Sequence, residues 1–320
     1  MEHRQKLFRI AALGGLLCAA GVAFGQAFPT KAVTLIVPFA PGGPTDVVSR
    51  AVMQEAEKKW GQPVIIENRP GASGLAAVDS FTRQPADGHT LFFHGNTPLT
   101  AHFFMKEIPY KPADLRPLAA FGGSSYVITV NPSLGVKTLK EVVALAKSKP
   151  KAINYGTINL TTYELDHYVL FGMMGIEMMP VPYQSAVPIA TALLRGDVQF
   201  YFAIVSLVVP HIAAGKLTPL AYLGDSRHPQ LPNVPTLKEE GYDFSTGYVL
   251  GVFAHTKTPQ DIFDKLGRDL EAAVKSPEVV ERLAKVGYQT YPAPRDWHVR
   301  IDNELKRYTE TVRKLNYQPQ

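Results

Sequence analysis

From residue 28 to residue 95 the chain alternates short apolar runs with segments whose apolar residues recur every three or four positions. Val33, Leu35, Ile36, Val37 and Phe39 form a branched and aromatic run too short for a helix, which predicts a buried strand over 33–39. Val47, Val48, Ala51, Val52 and Ala56 then share one helical face, predicting a helix over 46–60 that Gly61, Gln62 and Pro63 stop. Strand 64–67, helix 75–83 and strand 90–94 follow on the same grounds. Strand, helix, strand, helix, strand in this order predicts a parallel sheet whose ligands lie beyond the carboxyl ends of the strands. The loops at Gly42, Gly71 and Gly95-Asn-Thr97 are therefore expected to share one rim.

A second run of β/α units repeats the pattern. Strand 126–130, helix 139–147, strand 153–155 and a polar turn at 156–162 are expected, then a helix of about fifteen residues. Strand 178–183, helix 189–195 and strand 198–202 complete it. Later strands are expected at 217–222 and 247–254, the latter crossing back to the first domain, and the tail at 261–286 and 296–315 is largely helical.

Composition narrows the function. The chain has 33 Lys+Arg against 28 Asp+Glu, a formal charge of +5. Arg4, Lys6 and Arg9 precede an apolar run over 10–24 that ends in Ala23-Phe24-Gly25, the pattern of a cleaved secretory signal in residues 1–25. Without that segment the excess falls to +3, since three cations and Glu2 leave together. So mild and scattered an excess argues against nucleic-acid binding. The single cysteine, Cys18, lies inside the signal, so thiol catalysis and cysteine-based metal sites are not expected after export. No later segment approaches a membrane span.

The richest chemistry lies in Leu35-Ile-Val-Pro-Phe-Ala-Pro-Gly-Gly-Pro-Thr-Asp46. Gly42 and Gly43 can take backbone angles closed to other residues, and Pro44 suits the first helical position. The first turn of the helix then offers unpaired N–H groups to an anion, with Asp46 near enough to reach back toward the turn. Neither a phosphate loop nor a dinucleotide fingerprint is present. The nine histidines show no metal-ligand spacing and there is no G-x-S-x-G elbow. His94, at a strand end, is the one isolated candidate for a site histidine. No cofactor and no metal are expected.

Val37-Pro-Phe-Ala-Pro-Gly-Gly-Pro-Thr-Asp46 with Arg50 resembles the first motif of the Bug family, the periplasmic solute receptors of tripartite tricarboxylate transporters. Further matching pieces are Glu67-Asn-Arg-Pro-Gly-Ala-Ser-Gly74, Ala86-Asp-Gly-His-Thr-Leu91, Val181-Pro-Tyr183, Leu193-Leu194 with Gly196, Leu231-Pro-Asn-Val-Pro-Thr236 and Ser276-Pro-Glu-Val279. They occur in family order from Phe28 onward. The resemblance implies an α/β, type II periplasmic-binding-protein fold, two lobes joined by crossing strands around a cleft. Lobe 1 is expected at 26–127 and 245–320, and lobe 2 at 128–244. It further implies an exported monomer that takes a small carboxylate and delivers it to membrane permease subunits. The same closing receptor would also serve a membrane sensor kinase, and an exported enzyme is the remote alternative.

In the family one carboxylate is held between two facing loops, which fall here on 39–46 and 157–162. Contacts are accordingly expected from Phe39, Ala40, Pro41, Gly42, Gly43 and Asp46, from Asn96 and Thr97, from Thr157, Asn159, Thr161 and Thr162, and from Ala203 and Tyr248. The second loop departs from the family. It is one residue shorter, with Asn159 and Leu160 in place of glycines, Glu164 where His is usual and Gln184 where Lys is frequent. No Arg or Lys stands in either loop, whereas Phe39, Phe93, Ile158, Leu160, Tyr163, Phe202 and Tyr248 are apolar candidates around them. A mono- or dicarboxylate with an apolar or aromatic body is therefore expected in preference to citrate.

Overall fold

The computed structural model describes residues 28–70, 74–158 and 161–316. The expected signal segment lies outside them, as do Gly71, Asn159 and Leu160. Strand β1 (Val33–Val37) runs parallel to β2 (Val64–Asn68) on one side and to β3 (Thr90–His94) on the other. Both faces of this sheet are covered, which is why β1 reads as a continuous apolar run. On one face Val48, Val52 and Ala56 of α1 (Pro44–Trp60) pack with Leu266, Leu270, Val279 and Leu283 of α8 (Gln260–Val274) and α9 (Pro277–Lys285). On the other face Val78 and Phe81 of α2 (Leu75–Thr82) meet Trp297 and Ile301 of α10 (Trp297–Leu315).

Strand β4 (Leu115–Val130) carries the sheet out of this lobe. Up to Ser125 it pairs antiparallel with β9 (Gly247–His255), which in turn pairs with β3. From Tyr126 onward it pairs instead with β7 (Phe200–Ile204) and β8 (Thr218–Tyr222). Strands β5 (Asn154–Thr157) and β6 (Met179–Pro182) extend the second sheet in parallel. Its core is filled from the facing sides of α4 (Leu139–Ser148), α5 (Thr162–Met174) and α6 (Ala186–Arg195). The molecule thus has two α/β lobes.

The C-terminal helix is a third connection between them. Trp297 and Ile301 of α10 belong to the first-lobe core, Tyr308 belongs to the second, and Leu305 packs against both. Tyr248, near the start of β9, likewise touches both lobes.

Most expected elements are present within a residue or two, but the strand expected at 126–130 is only the end of the sixteen-residue β4. Its first part contains Pro117, Gly122, Gly123, Ser124 and Ser125, residues that favour turns. The pairing with β9 shifts register at Pro117/Ala119 and Ala120/Gly122, so the strand accommodates them as irregularities. The glycines are demanded by neighbours: a Cβ at Gly123 would collide with the Tyr248 carbonyl oxygen, and one at Gly122 would stand 2.6 Å from the Gln289 carbonyl oxygen, in the short strand β10 (Gln289–Thr290). Helix α7 (Val205–Ala213) was not expected either. It follows β7 with no polar cap between them and holds Pro210, so apolar periodicity alone does not divide strand from helix.

Because backbone, not a flexible side chain, opposes Gly123, Gly123→Ala is expected to cost about 1–3 kcal/mol. Urea denaturation checks it, and an unchanged midpoint would show that β4 and β9 can part without penalty.

Candidate functional site

The first loop is built around a buried carboxylate. Asp46 is 3% exposed; its Oδ2 accepts the Gly42 N–H at 3.0 Å and Arg50 Nε at 2.8 Å. Asn68 Nδ2 donates to Asp46 Oδ1 at 2.9 Å and to the Phe39 carbonyl at 3.0 Å, while Arg50 Nη2 donates to Asn68 Oδ1 at 3.0 Å. Burial alone would raise the Asp46 pKa, but the bonds from Arg50, Gly42 and Asn68 outweigh it and hold the group below its ordinary value. Asp46 therefore organises the turn, with its oxygens already engaged. Ala40, Pro41 and Gly42 are exposed above it.

The two glycines are not equivalent. Gly42 has φ +82°, the left-handed region that a side chain resists. Gly43 has φ −75° and ψ 166°, open to any residue, so the expectation that both needed special angles is corrected. A Cβ at Gly43 would find only the Ala40 carbonyl, at 3.8 Å. Gly43 is the N-cap of α1, and no side chain caps that helix.

The rim of the first lobe gathers at His94. Its Nδ1 accepts the Gly95 N–H at 2.8 Å, its ring lies 5.3 Å from that of Phe39, and a Cβ at Gly74 would meet its Nε2 at 2.9 Å. The loops before α1, before α2 and after β3 thus converge, with a buried histidine as the packing piece between them. Asn96 and Thr97 follow, partly exposed, at the start of the one-turn helix α3 (Thr97–Thr100). Tyr248 lies beside Gly95, and a Cβ there would sit 3.4 Å from its ring.

The second lobe presents the start of α5. Thr161 is the N-cap, but its hydroxyl donates to the Ile158 carbonyl at 2.6 Å and does not cap the helix. Thr157 is fully buried, and its hydroxyl has no hydrogen-bond partner among the described residues. Glu164 is buried in the first turn and accepts the Tyr168 hydroxyl at 3.0 Å. The two lobes come together at Thr162, whose hydroxyl lies 3.4 Å from Asn96 Oδ1. Ala203 is fully buried in the second-lobe core, paired with Val127. Of the apolar candidates, Phe93, Tyr163 and Phe202 are core residues, leaving Phe39, Ile158 and Tyr248 partly exposed. A cavity of about 330 Å³ beside the crossing strands, lined by Ser124, Tyr222, Asp225, Arg227 and Tyr291, includes none of the loop residues.

A family model described as the tripartite tricarboxylate transporter family receptor matches residues 48–317. The chain belongs to this family. It is therefore a receptor of the periplasmic solute-binding kind, and its two α/β lobes around a cleft are the type II periplasmic-binding-protein fold. BugT of Bordetella pertussis is 32% identical over 314 residues, covering 95% of this chain and 96% of that one. A solute-binding protein from Polaromonas, solved without ligand, superposes with a TM-score of 0.81 at 25% identity, over 90% of this chain and 99% of the other. Rpa4515 of R. palustris, solved with adipate, gives 0.73 at 28% identity, over 92% of this chain and all of that one (100%).

Three residues not evident from the sequence tie together the elements around these loops. Asn68 lies within the matching piece Glu67–Gly74, yet its role beneath Phe39 depends on pairing of β1 with β2. Glu304 bonds Asn96 from 208 positions away. Asp166 joins α5 to the other lobe: Thr246 Oγ1 donates to it at 2.6 Å and the Tyr308 hydroxyl at 2.9 Å, with Arg307 Nη2 at 3.8 Å. Burial pushes its pKa up to about 6, against the opposing pull of Arg307. A carboxyl whose folded pKa lies above its unfolded value of 3.8 binds its proton more tightly when folded, so its ionisation costs stability as pH rises between those values. The cost amounts to about 3 kcal/mol. Asp166→Asn abolishes that titration, and is expected to destabilise more at pH 4.5 than at pH 7.5. Urea midpoints of both proteins across this range check it, and the opposite trend would contradict the burial argument.

Proposed function

We propose that this receptor captures a small mono- or dicarboxylate with an apolar or aromatic body between its lobes and delivers it to membrane permease subunits. The observation that carries the reading is that each lobe has a helix start with no side-chain cap, α1 at Gly43 and α5 at Thr161, and that the α5 start meets the first-lobe rim through Thr162 and Asn96. Such ends place backbone donors and the positive pole of each helix where a carboxylate can lie, with waters able to bridge the rest. The absence of Arg and Lys from both loops suits one or two negative charges better than three. Phe39, Ile158 and Tyr248 supply apolar surface for the body of the ligand. Rpa4515, solved with adipate, is a relative of this kind.

We further propose that lobes 26–127 with 245–320 and 128–244 close by bending where β4 leaves β9 for β7 and β8, near Ser125 and Gly247. The receptor would be exported through residues 1–25 and act as a monomer. Small-angle scattering should show compaction on saturation with a tight ligand.

Two measurements test the site. Thermal-shift and calorimetric titration with benzoate, terephthalate, linear dicarboxylates and citrate should rank citrate below the best of the others. Citrate binding tightest would overturn the apolar-body assignment. Gly43→Val tests the anchor, because its backbone angles and open surroundings tolerate a side chain. Affinity should fall by about tenfold or more with Tm shifted by less than about 2 °C. A well-folded Gly43→Val protein that binds normally would remove the first loop from the site.

A further inference from the structure

On the inner side of α10, Glu304 is 6% exposed and receives two bonds: Arg300 Nε donates to Oε1 at 2.8 Å and Asn96 Nδ2 donates to Oε2 at 2.6 Å. A carboxylate paired with a guanidinium offers only acceptors, so the end of the Asn96 amide that meets it has to be the NH₂. The carbonyl end is thereby turned away from Glu304, toward the Thr162 hydroxyl 3.4 Å off in the other lobe. We propose that Glu304 locks the Asn96 carbonyl toward the ligand, so that the receptor prefers a carboxylate bearing a hydroxyl on the adjacent carbon to the same acid without it. This rests on the reading that a carboxylate lies between the lobes at the start of α5.

The preference follows from what an acceptor does in that place. Thr162 is the first residue of α5, so Asn96 Oδ1 stands beside the N–H groups that the carboxylate would take. Two acceptors side by side repel, and an acceptor cut off from water on closure needs a donor of its own. The Thr162 hydroxyl answers part of that need, but 3.4 Å is long for a hydrogen bond between oxygens, and a carbonyl has two lone pairs. A hydroxyl one carbon from the carboxylate reaches the second. In an unlocked site the amide would flip and offer its NH₂ to the carboxylate instead, erasing the distinction. Asn96 is thus the specificity residue, Glu304 is a positioning residue that acts through it, and Arg300 holds the Glu304 carboxylate in place. Discrimination of this kind is steep, because the acid lacking the hydroxyl leaves the receptor's own acceptor unpaired.

Calorimetric titration of the receptor with matched pairs tests it: malate against succinate, and mandelate against phenylacetate. In at least one pair the hydroxy acid should bind about tenfold more tightly. That ratio, whatever the absolute affinities, should shrink to within about twofold in Asn96→Ala and in Glu304→Gln. A purely structural role for Glu304 would weaken both members of a pair alike and leave the ratio standing. Should Glu304→Gln fail to fold, Asn96→Ala decides alone. Equal affinities within every pair that binds, or a ratio that survives substitution of Asn96, overturns this inference and leaves carboxylate binding intact. If no carboxylate of either pair or of the wider panel binds, the reading beneath it falls as well.

Discussion

One buried carboxylate ties the second lobe to the returning chain and to the C-terminal helix. Asp166 lies on the second-lobe helix α5, yet both its hydrogen bonds come from elsewhere: Thr246 immediately precedes the returning strand β9, and Tyr308 sits on the C-terminal helix. An unpaired charge there would be costly, and the desolvation that raises its pKa is the measure of that cost. Three stretches far apart in sequence are consequently held at one point. Since α5 also presents its first turn to the cleft, its position relative to the other lobe is set partly by this network.

The C-terminal helix then connects the two lobes. Residues 300, 304 and 308 recur every four positions and so lie along one side of α10. Arg300 and Glu304 form an i,i+4 pair at 2.8 Å, Glu304 holds Asn96 on the first-lobe rim, and Tyr308 holds Asp166 in the second lobe. A shift of this helix along or about its axis cannot leave both ends undisturbed. Besides the two crossing strands, α10 is thus a strap that links Asn96 on the first-lobe rim to Asp166 in the second lobe.

Much of this was legible in the sequence, and the unread part has a physical pattern. The strand and helix at 33–60 could be read because apolar periodicity, Pro44 and Gly61 all agree locally. The first half of β4 could not, because Pro117 and the glycines at 122 and 123 are tolerated only through contacts with β9 and β10, which are remote in the chain. Helix α7 escaped for the opposite reason, being too uniformly apolar to show where a strand ended. In the site, the turn at 40–43 was anticipated from its glycines, but their division of labour was not, since only the backbone shows that Gly42 is left-handed and Gly43 is not. Glu304 and Asp166 look like ordinary charged helix residues until the crossing of α10 buries them.

The two organising carboxylates also differ in how they respond to pH. Asp46 is stabilised as an anion by Arg50, the Gly42 N–H and Asn68, so its pKa is depressed, and its contribution to stability is lost only as pH falls through that lowered value. Asp166 is destabilised as an anion by burial, and its pKa of about 6 lies within a range that an exported protein can meet. Between pH 7.5 and 5.5 the first loop keeps its charge and geometry, while Asp166 gains a proton and becomes a donor on one oxygen. Thr246 or Tyr308 must then turn its own hydroxyl to accept, and the nearby Arg307 loses its counter-charge. Mild acid therefore acts on the contacts of α5 with Thr246 and α10 while leaving the Asp46-centred loop intact.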